Sequence, residues 1–460
     1  MRKPGRAILT SALTAVLLTH GDGASGSEPV RFEQPVLSLA EAVRLGRLHS
    51  PMILAANAGA DAARAAARGA RAQRYPTIEA RETFLRTDSP ADVFGLKLSQ
   101  EIFSLAEFSS ANPNDPEPFD HWSTEIEASL PVWTGGKLSN GIRQADQMAK
   151  AAGNQAGFAT AAVELSIAQA YLDAVLAAEG VTLAESAYRT TSSHVEQAQA
   201  YFDSGMMVES DLLQAKVQLA QMEDQRISSR SRARIARAGL VRAAGIEVAE
   251  ETRLEAGTEG PAIERYDLSL GIEAAVRDRR DLAAGAAQLD AARAGVGRAI
   301  GGFFPDLGVR ARYTMSDDTP FGAAGSSYLI AAQASWKFWD SGKSLADLAR
   351  SRHESEAASR QLEGAVAAAR FEVTAALLEA EAQEARRATA EQAVAAAERA
   401  HLILEDRWKA GAARTSDLLD AETALHAARV RALEAKFNQQ RAARALLFAI
   451  GQSPVPEVKP

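Results

Sequence analysis

The chain has 460 residues, 24% of them charged, and no cysteine. That composition excludes a polytopic helical membrane protein, disulfide bonds, thiolate metal sites and a lipid-modified N-terminal cysteine. The formal charge of −8 argues against a nucleic-acid partner.

Residues 1–26 read as a secretory signal peptide. Arg2, Lys3 and Arg6 form its positive start, Ala7 to Thr19 a short apolar stretch, and Gly23, Ala24, Ser25 and Gly26 offer cleavage positions. After it, no apolar run approaches the roughly 20 residues of a membrane helix. Export of a cysteine-free chain fits a bacterial periplasm or outer membrane.

A first structural repeat is expected over 27–245. It opens with a helix over 38–74 that ends at Tyr75-Pro76. A β-hairpin follows over 75–133. Its strands alternate with period two: Ile78, Ala80 and Phe84 oppose Thr77, Glu79, Arg81 and Thr83, with Glu82 spoiling the apolar face. In 122–130, Trp122, Thr124, Ile126, Ala128 and Leu130 oppose Ser123, Glu125, Glu127 and Ser129. Between them, 88–120 holds Pro90, Pro113, Pro116 and Pro118 and reads as a loop. A very long helix spans 136–203. Gly205 turns the chain, and another helix covers 207–244. At 1.5 Å per residue the long helix reaches about 100 Å, too long for a compact domain. Its apolar content is mostly alanine, among them Ala149, Ala152, Ala156, Ala159 and Ala162. Such side chains permit broad, close helix contact without a deep core. An ordinary coiled-coil rod would show the same periodicity.

A linker over 246–266 leads into a second repeat over 267–452, and 453–460 is a C-terminal tail. The second repeat has a helix over 268–302, an aromatic-Pro pair at Phe304-Pro305 and a β-hairpin over 304–339. In it, Leu307, Val309, Ala311 and Tyr313 oppose Asp306, Gly308, Arg310 and Arg312. In 330–338, Ile330, Ala332, Ala334, Trp336 and Phe338 oppose Ala331, Gln333, Ser335 and Lys337. A long helix over 342–409, a tip near Gly411 and a helix over 413–450 complete it.

The two halves are copies. Trp133-Thr-Gly-Gly-Lys137 and Trp339-Asp-Ser-Gly-Lys343 stand 206 residues apart. The same offset carries Gly205 onto Gly411, Ser210-Asp211-Leu212-Leu213 onto Ser416-Asp417-Leu418-Leu419, and Gly245 onto Gly451. Upstream, Pro76 corresponds to Pro305 at an offset of 229, so the first copy carries 23 extra residues near 88–120. In each copy the two shorter helices stacked end to end match the long one, which gives four helical columns per chain.

Each strand has the length that crosses a bilayer when tilted. Tyr75, Trp122, Trp133, Phe304, Trp336 and Trp339 sit near strand ends, as in an interfacial aromatic girdle. A sheet in lipid cannot leave its edges unpaired, and four strands are too few to close a barrel, so chains must combine. Three chains make the smallest assembly wide enough for a conduit.

With these features in place, residues 36–452 resemble the TolC-type outer-membrane efflux family. The most specific parts are Phe202-x-x-Gly205-x4-Ser210-Asp211-Leu212-Leu213 and Trp408-x-x-Gly411-x4-Ser416-Asp417-Leu418-Leu419-Asp420. The resemblance implies a mainly α fold with a transmembrane β part. That is a homotrimer with a 12-stranded β-barrel in outer-membrane lipid and a long periplasmic barrel of helices, in a Gram-negative bacterium. It implies a duct for a tripartite efflux or type I secretion system, docked to a periplasmic adaptor and served by an inner-membrane pump of RND or ABC type. Asp417 and Asp420 match a cation-binding ring at the periplasmic gate. A plain helix-start role for Asp417 stands as the alternative. Asp211 matches the acidic member of a tip latch. At the basic position stands Ala413, with Arg414 beside it. Gly205, Met206, Met207, Val208, Gly411, Ala412 and Ala413 form the expected adaptor-docking tip.

No Walker motif, nucleophile elbow or HExxH occurs, and the histidines show no ligand spacing. No enzyme activity, cofactor or metal site is expected. The alternative to a duct is a non-conducting periplasmic coiled-coil scaffold, and the sequence does not select the cargo.

Overall fold

The computed structural model describes residues 31–32, 34–104, 114–249, 251–256 and 267–455. The expected signal peptide and its cleavage site lie outside these residues, as do 105–113 and most of the second half of the expected linker.

The long helices define the molecule. Helix α4 (Lys137–Asp203) and helix α8 (Lys343–Lys409) have 67 residues each and stand at the repeat offset. Both start after a glycine in the left-handed region, Gly136 at φ +87° and Gly342 at φ +86°. The returning helices are α5 (Glu209–Ala244) and α9 (Thr415–Ala449).

The helices expected over 38–74 and 268–302 are each broken in two. Helix α1 (Leu39–His49) is followed by α2 (Pro51–Ala72), and α6 (Leu268–Asp278) by α7 (Arg280–Ile300). The breaking residues, Ser50 and Arg279, are extended, at ψ 120° and 122°. Proline at the first position of α2 explains the first break, because the residue before proline disfavours the helical region. The second has no proline. There a buried arginine holds the bend: Arg279 bonds Asp281, Glu372 (2.5 Å) and the Ala449 carbonyl. Burial alone would lower the pKa of Arg279, and its bonds to Asp281 and Glu372 outweigh that and raise it.

Each bend receives the end of a returning helix. A Cβ on Gly245 would press on the His49 carbonyl, and one on Gly451 on the Arg279 amide. Both glycines have positive φ. So α2 stacks end to end with α5, and α7 with α9, as the helix lengths predicted. Helix α4 packs on α2 and α5 on one side and on α7 and α9 on the other, and α8 follows α7 and α9.

The deep core sits where these elements meet. Val163, Ile167, Ala168, Tyr171, Leu172 and Val175 of α4 pack with Leu37, Leu39, Val43, Ile53, Leu240 and Ile246. This stretch of α4 is apolar enough to cross a membrane by length and composition. That corrects the expectation of no such run. Its buried positions are those of the core just described.

The expected linker is not plain coil. Among its described residues, β5 (Glu247–Val248) pairs in parallel with β1 (Arg31–Phe32), and β6 (Arg253–Leu254) with β2 (Val36–Leu37). Tyr171 Oη donates to the carbonyls of Leu37 (2.7 Å) and Glu255 (3.0 Å) and ties both segments to α4. Burial pushes the Tyr171 hydroxyl far above its ordinary pKa.

The membrane-type strands form one antiparallel sheet in the order β3-β4-β7-β8. They are β3 (Thr77–Thr87), β4 (Phe119–Trp133), β7 (Asp306–Asp317) and β8 (Gly325–Ser335). Strand β8 starts five residues before the expected position and ends before Trp336. The region expected as loop contains a helix, α3 (Pro90–Ser99), with Pro90 at its first turn. Proline there starts a helix instead of breaking one, because its missing N–H has no partner to lose.

Replacing Tyr171 with Phe keeps the ring and removes the donor shared by the buried Leu37 carbonyl and the Glu255 carbonyl. The cost expected is about 1–3 kcal/mol. Thermal unfolding should show a lowered midpoint, and an unchanged midpoint would mean the tie carries no stability.

Candidate functional site

The register of the sheet sorts its side chains into two faces. Ile78, Ala128, Ala311 and Ile330 line up across all four strands, as do Ala80, Ile126, Tyr313 and Tyr328. Leu130, Val309 and Ala332 form a third apolar row. The other face carries Glu79, Glu127 and Arg312 in one row, with Leu329 at its edge, and Arg81, Glu125, Thr314 and Ser327 in the next. Arg312 pairs with Glu127 at 2.6 Å and lies 3.6 Å from Glu125. One face is therefore apolar and the other charged, the arrangement of a sheet with lipid outside and water inside.

The aromatics mark two levels. Trp133 packs edge-on against Phe304 with ring centroids 6.1 Å apart, and Trp336 Nε1 donates to the Phe303 carbonyl at 3.1 Å. Tyr75 and Trp339 are exposed at the same, helix-side end. Trp122 lies at the far end and packs on Phe84, centroids 4.9 Å apart. Trp122 and Trp133 are eleven residues apart on one strand. At about 3.4 Å per residue and a tilt of about 40° they bracket about 28 Å, close to an outer-membrane apolar band. Glu82, out of place on the apolar face, sits towards the far end and accepts from the Phe321 N–H at 3.1 Å.

The opposite end of the molecule is the pair of helix tips. At each, the chain reverses through a two-bond glycine cap. Met206 N–H donates to Tyr201 O and Gly205 N–H to Phe202 O. Ala412 N–H donates to Arg407 O and Gly411 N–H to Trp408 O. A Cβ on Gly205 or Gly411 would meet no atom within 4 Å, so φ of +74° and +71° alone demands glycine. Gly205, Met206, Val208, Gly411 and Ala412 are exposed. Met207 instead turns inward onto Val195, Ala198, Leu212, Ala215 and Leu419.

Asp417 and Asp420 are both exposed near the start of α9. The Asp417 carboxylate also accepts from the Arg414 N–H at 3.3 Å, so it does cap the helix. Among the described residues no ion pair joins Asp211 to Arg414 within one chain. Asp211 stays at the matching start of α5, next to Ser210.

Sequence reading missed the joint between the two tips. Trp408, from the second repeat, is buried between two first-repeat rings, 5.8 Å from His194 and 5.6 Å from Tyr201. Its Nε1 donates to Thr415 Oγ1 at 3.3 Å. His194 Nδ1 meets the Glu422 carboxylate, and Gln218 donates to Thr423 at 2.9 Å. His401, Glu422 and His426 border a cavity of about 120 Å³ beside this joint. Nothing local in the sequence signals that His194 and Glu422, 228 residues apart, meet.

A strand sheet with one lipid-type face, carried on helices of 67 residues that end in paired tips, is the protomer architecture of the outer-membrane efflux proteins. The comparisons agree. The chain belongs to the outer membrane efflux protein family, which it matches over residues 43–246 and 271–452, one segment per repeat. The fold is that of VceC from Vibrio cholerae, with 21% identity, TM-score 0.74, and 90% of this chain and 96% of that one covered. It is equally that of the CmeC channel of Campylobacter jejuni, with 16% identity, TM-score 0.77, and 92% and 87% covered. The open-state MtrE channel of Neisseria gonorrhoeae gives 18%, 0.74, 90% and 89%. No curated protein sequence matches the chain.

Replacing Trp408 with Ala should loosen the joint by about 3–5 kcal/mol, the usual cost of emptying a buried tryptophan site. Hydrogen exchange should accelerate over 195–219 and 405–425 and stay unchanged over 163–175. Equal protection at the tips in both proteins would rule the joint out.

Proposed function

We propose that three copies of this chain form a passive duct. It spans the outer membrane as a twelve-stranded barrel and the periplasm as a tunnel of helices. The observation that carries this reading is the pairing of a two-faced sheet with two open edges. Among the described residues, strands β3 and β8 each have a partner on one side only. In lipid every unpaired N–H and C=O costs several kcal/mol, so both edges need a partner chain. The helical part has matching edges. Leu213, Val217, Ile227 and Ile235 are exposed on α5, and Phe371, Leu378 and Leu402 on α8. Joining α8 of one copy to the α2 and α5 column of the next covers both sets and the sheet edges together.

In this assembly the apolar rows and both aromatic levels face lipid, and Glu79, Glu125, Glu127 and Arg312 face water in the lumen. The tips point into the periplasm, where Gly205, Met206, Val208, Gly411, Ala412 and Ala413 offer a periplasmic adaptor its docking surface. An inner-membrane pump, RND or ABC type, supplies energy and selects the cargo. The duct itself performs no chemistry. Purified protein should sediment as a trimer in detergent and form conducting channels in planar bilayers. A folded monomer without conductance would favour the periplasmic scaffold instead.

The narrow end of the duct is the tip ring. Three-fold symmetry brings Asp417 and Asp420 of each copy towards one axis, and like charges so placed favour a bound multivalent cation. An Asp211–Arg414 contact between neighbouring copies would hold the tips together. The cap and ring roles of Asp417 separate by chemistry. Asn at 417 keeps an acceptor for the Arg414 N–H but loses the charge. The double variant Asp417→Asn, Asp420→Asn should therefore stay trimeric. It should weaken block by periplasmic-side divalent cations about tenfold, equivalent to about 1.4 kcal/mol. Unchanged block in single-channel records would leave Asp417 as a helix cap only.

A further inference from the structure

Among the described residues of 88–120, where the first repeat carries its 23 extra residues, stands helix α3. Helix α3 is folded back onto the sheet, and two contacts show on which face. Gln100, which caps α3, is 2% exposed and donates from Nε2 to His121 Nδ1 at 3.1 Å. His121 is 5% exposed and leads the row Ser123, Glu125, Glu127 on the charged face of β4. A Cβ on Gly325 would collide with the Ser99 carbonyl oxygen. Gly325 is opposite Ser316, and Ser316, opposite Ser123, is buried on that same face. The end of α3 is thus pinned on the charged face of the sheet, next to the first residue of β8 and opposite the helical tunnel.

We propose that α3 is a constriction element inside the outer mouth of the duct, where it limits the size of what leaves. This rests on the reading above that the charged face lines a lumen. The size of that lumen makes the case quantitative. Twelve strands about 4.8 Å apart, tilted about 40°, close with a radius of about 12 Å. A helix with its side chains is about 10 Å across. Three copies of α3, one per chain, then fill most of the cross-section. Helix α3 also has an apolar face for the axis. Val93 and Gln100, seven residues apart, are buried on one side. Leu98 falls on the opposite side at 48% exposed, and Ile102 just beyond the helix is 50% exposed. Meeting around the axis, these side chains make an apolar collar, which resists passage of water and ions when narrow.

The chain has no cysteine, so single cysteines report placement cleanly. Leu98→Cys should be joined to its symmetry mates by a short bismaleimide within the intact trimer, in more than half of the chains. Ile330→Cys, on the apolar face, should cross-link in fewer than a tenth. A second measurement reads the constriction itself. Glu79→Cys lies on the charged face, deeper than α3. Its labelling by a bulky impermeant maleimide added outside intact cells should speed up about tenfold when 90–99 are replaced by a short Gly-Ser turn. If Leu98→Cys accepts a single maleimide yet never cross-links in a conducting trimer, or Glu79→Cys labels equally fast in both backgrounds, the constriction is overturned and the duct stands. If no trimer or conductance exists at all, the duct reading fails and the constriction with it.

Discussion

Backbone hydrogen bonding at the edges of a small sheet is the constraint from which the rest of this molecule follows. Among the described residues, four strands satisfy their inner neighbours and leave one side of β3 and one side of β8 open. Water would satisfy those groups on a soluble protein, and lipid does not. In the proposed assembly the sheet is one third of a barrel. The helices share that condition in the proposed assembly, because they follow the strands at Gly136 and Gly342.

Duplication makes that closure geometrically simple. Two copies of one unit give each chain two equivalent hairpins of strands and two equivalent hairpins of helices. The equivalence extends to joints of different chemistry. In the first copy Pro51 bends the chain where Gly245 arrives. In the second the buried Arg279, tied to Asp281 and Glu372, does the same where Gly451 arrives. One requirement, a bend that accepts a helix end without a side chain in between, is met by a backbone restriction in one copy and an ion pair in the other.

The copies differ where function needs asymmetry. At the tips, Trp408 of the second copy is enclosed by His194 and Tyr201 of the first, and Tyr201 has no aromatic counterpart burying itself in return. At the sheet, only the first copy carries α3. Both departures lie at opposite ends of the molecule, and the long helices between them keep the repeat.

Periodicity and repetition were legible in the residues themselves. Period-two alternation named the four strands, and the proline-free alanine-rich stretches named both long helices to within a residue. The shared offset named the two copies, because each of these signals is local or a direct comparison of residues. Chain reversal at Gly205 and Gly411 was legible for the same reason: a positive φ is a property of one residue. Tertiary structure alone decided the rest. Pro90 marks a helix start or a loop equally well until neighbours are known, and the prolines of 88–120 by themselves predict a loop. The break at Arg279 depends on partners 93 and 170 residues away. The contact of His194 with Glu422 unites two helices that no pattern links. The apolar stretch of α4 reads as a membrane helix or a core, and only its packing against Leu37, Leu39 and Leu240 distinguishes them. Local geometry is written in local sequence, whereas what a side chain touches depends on where the distant chain returns.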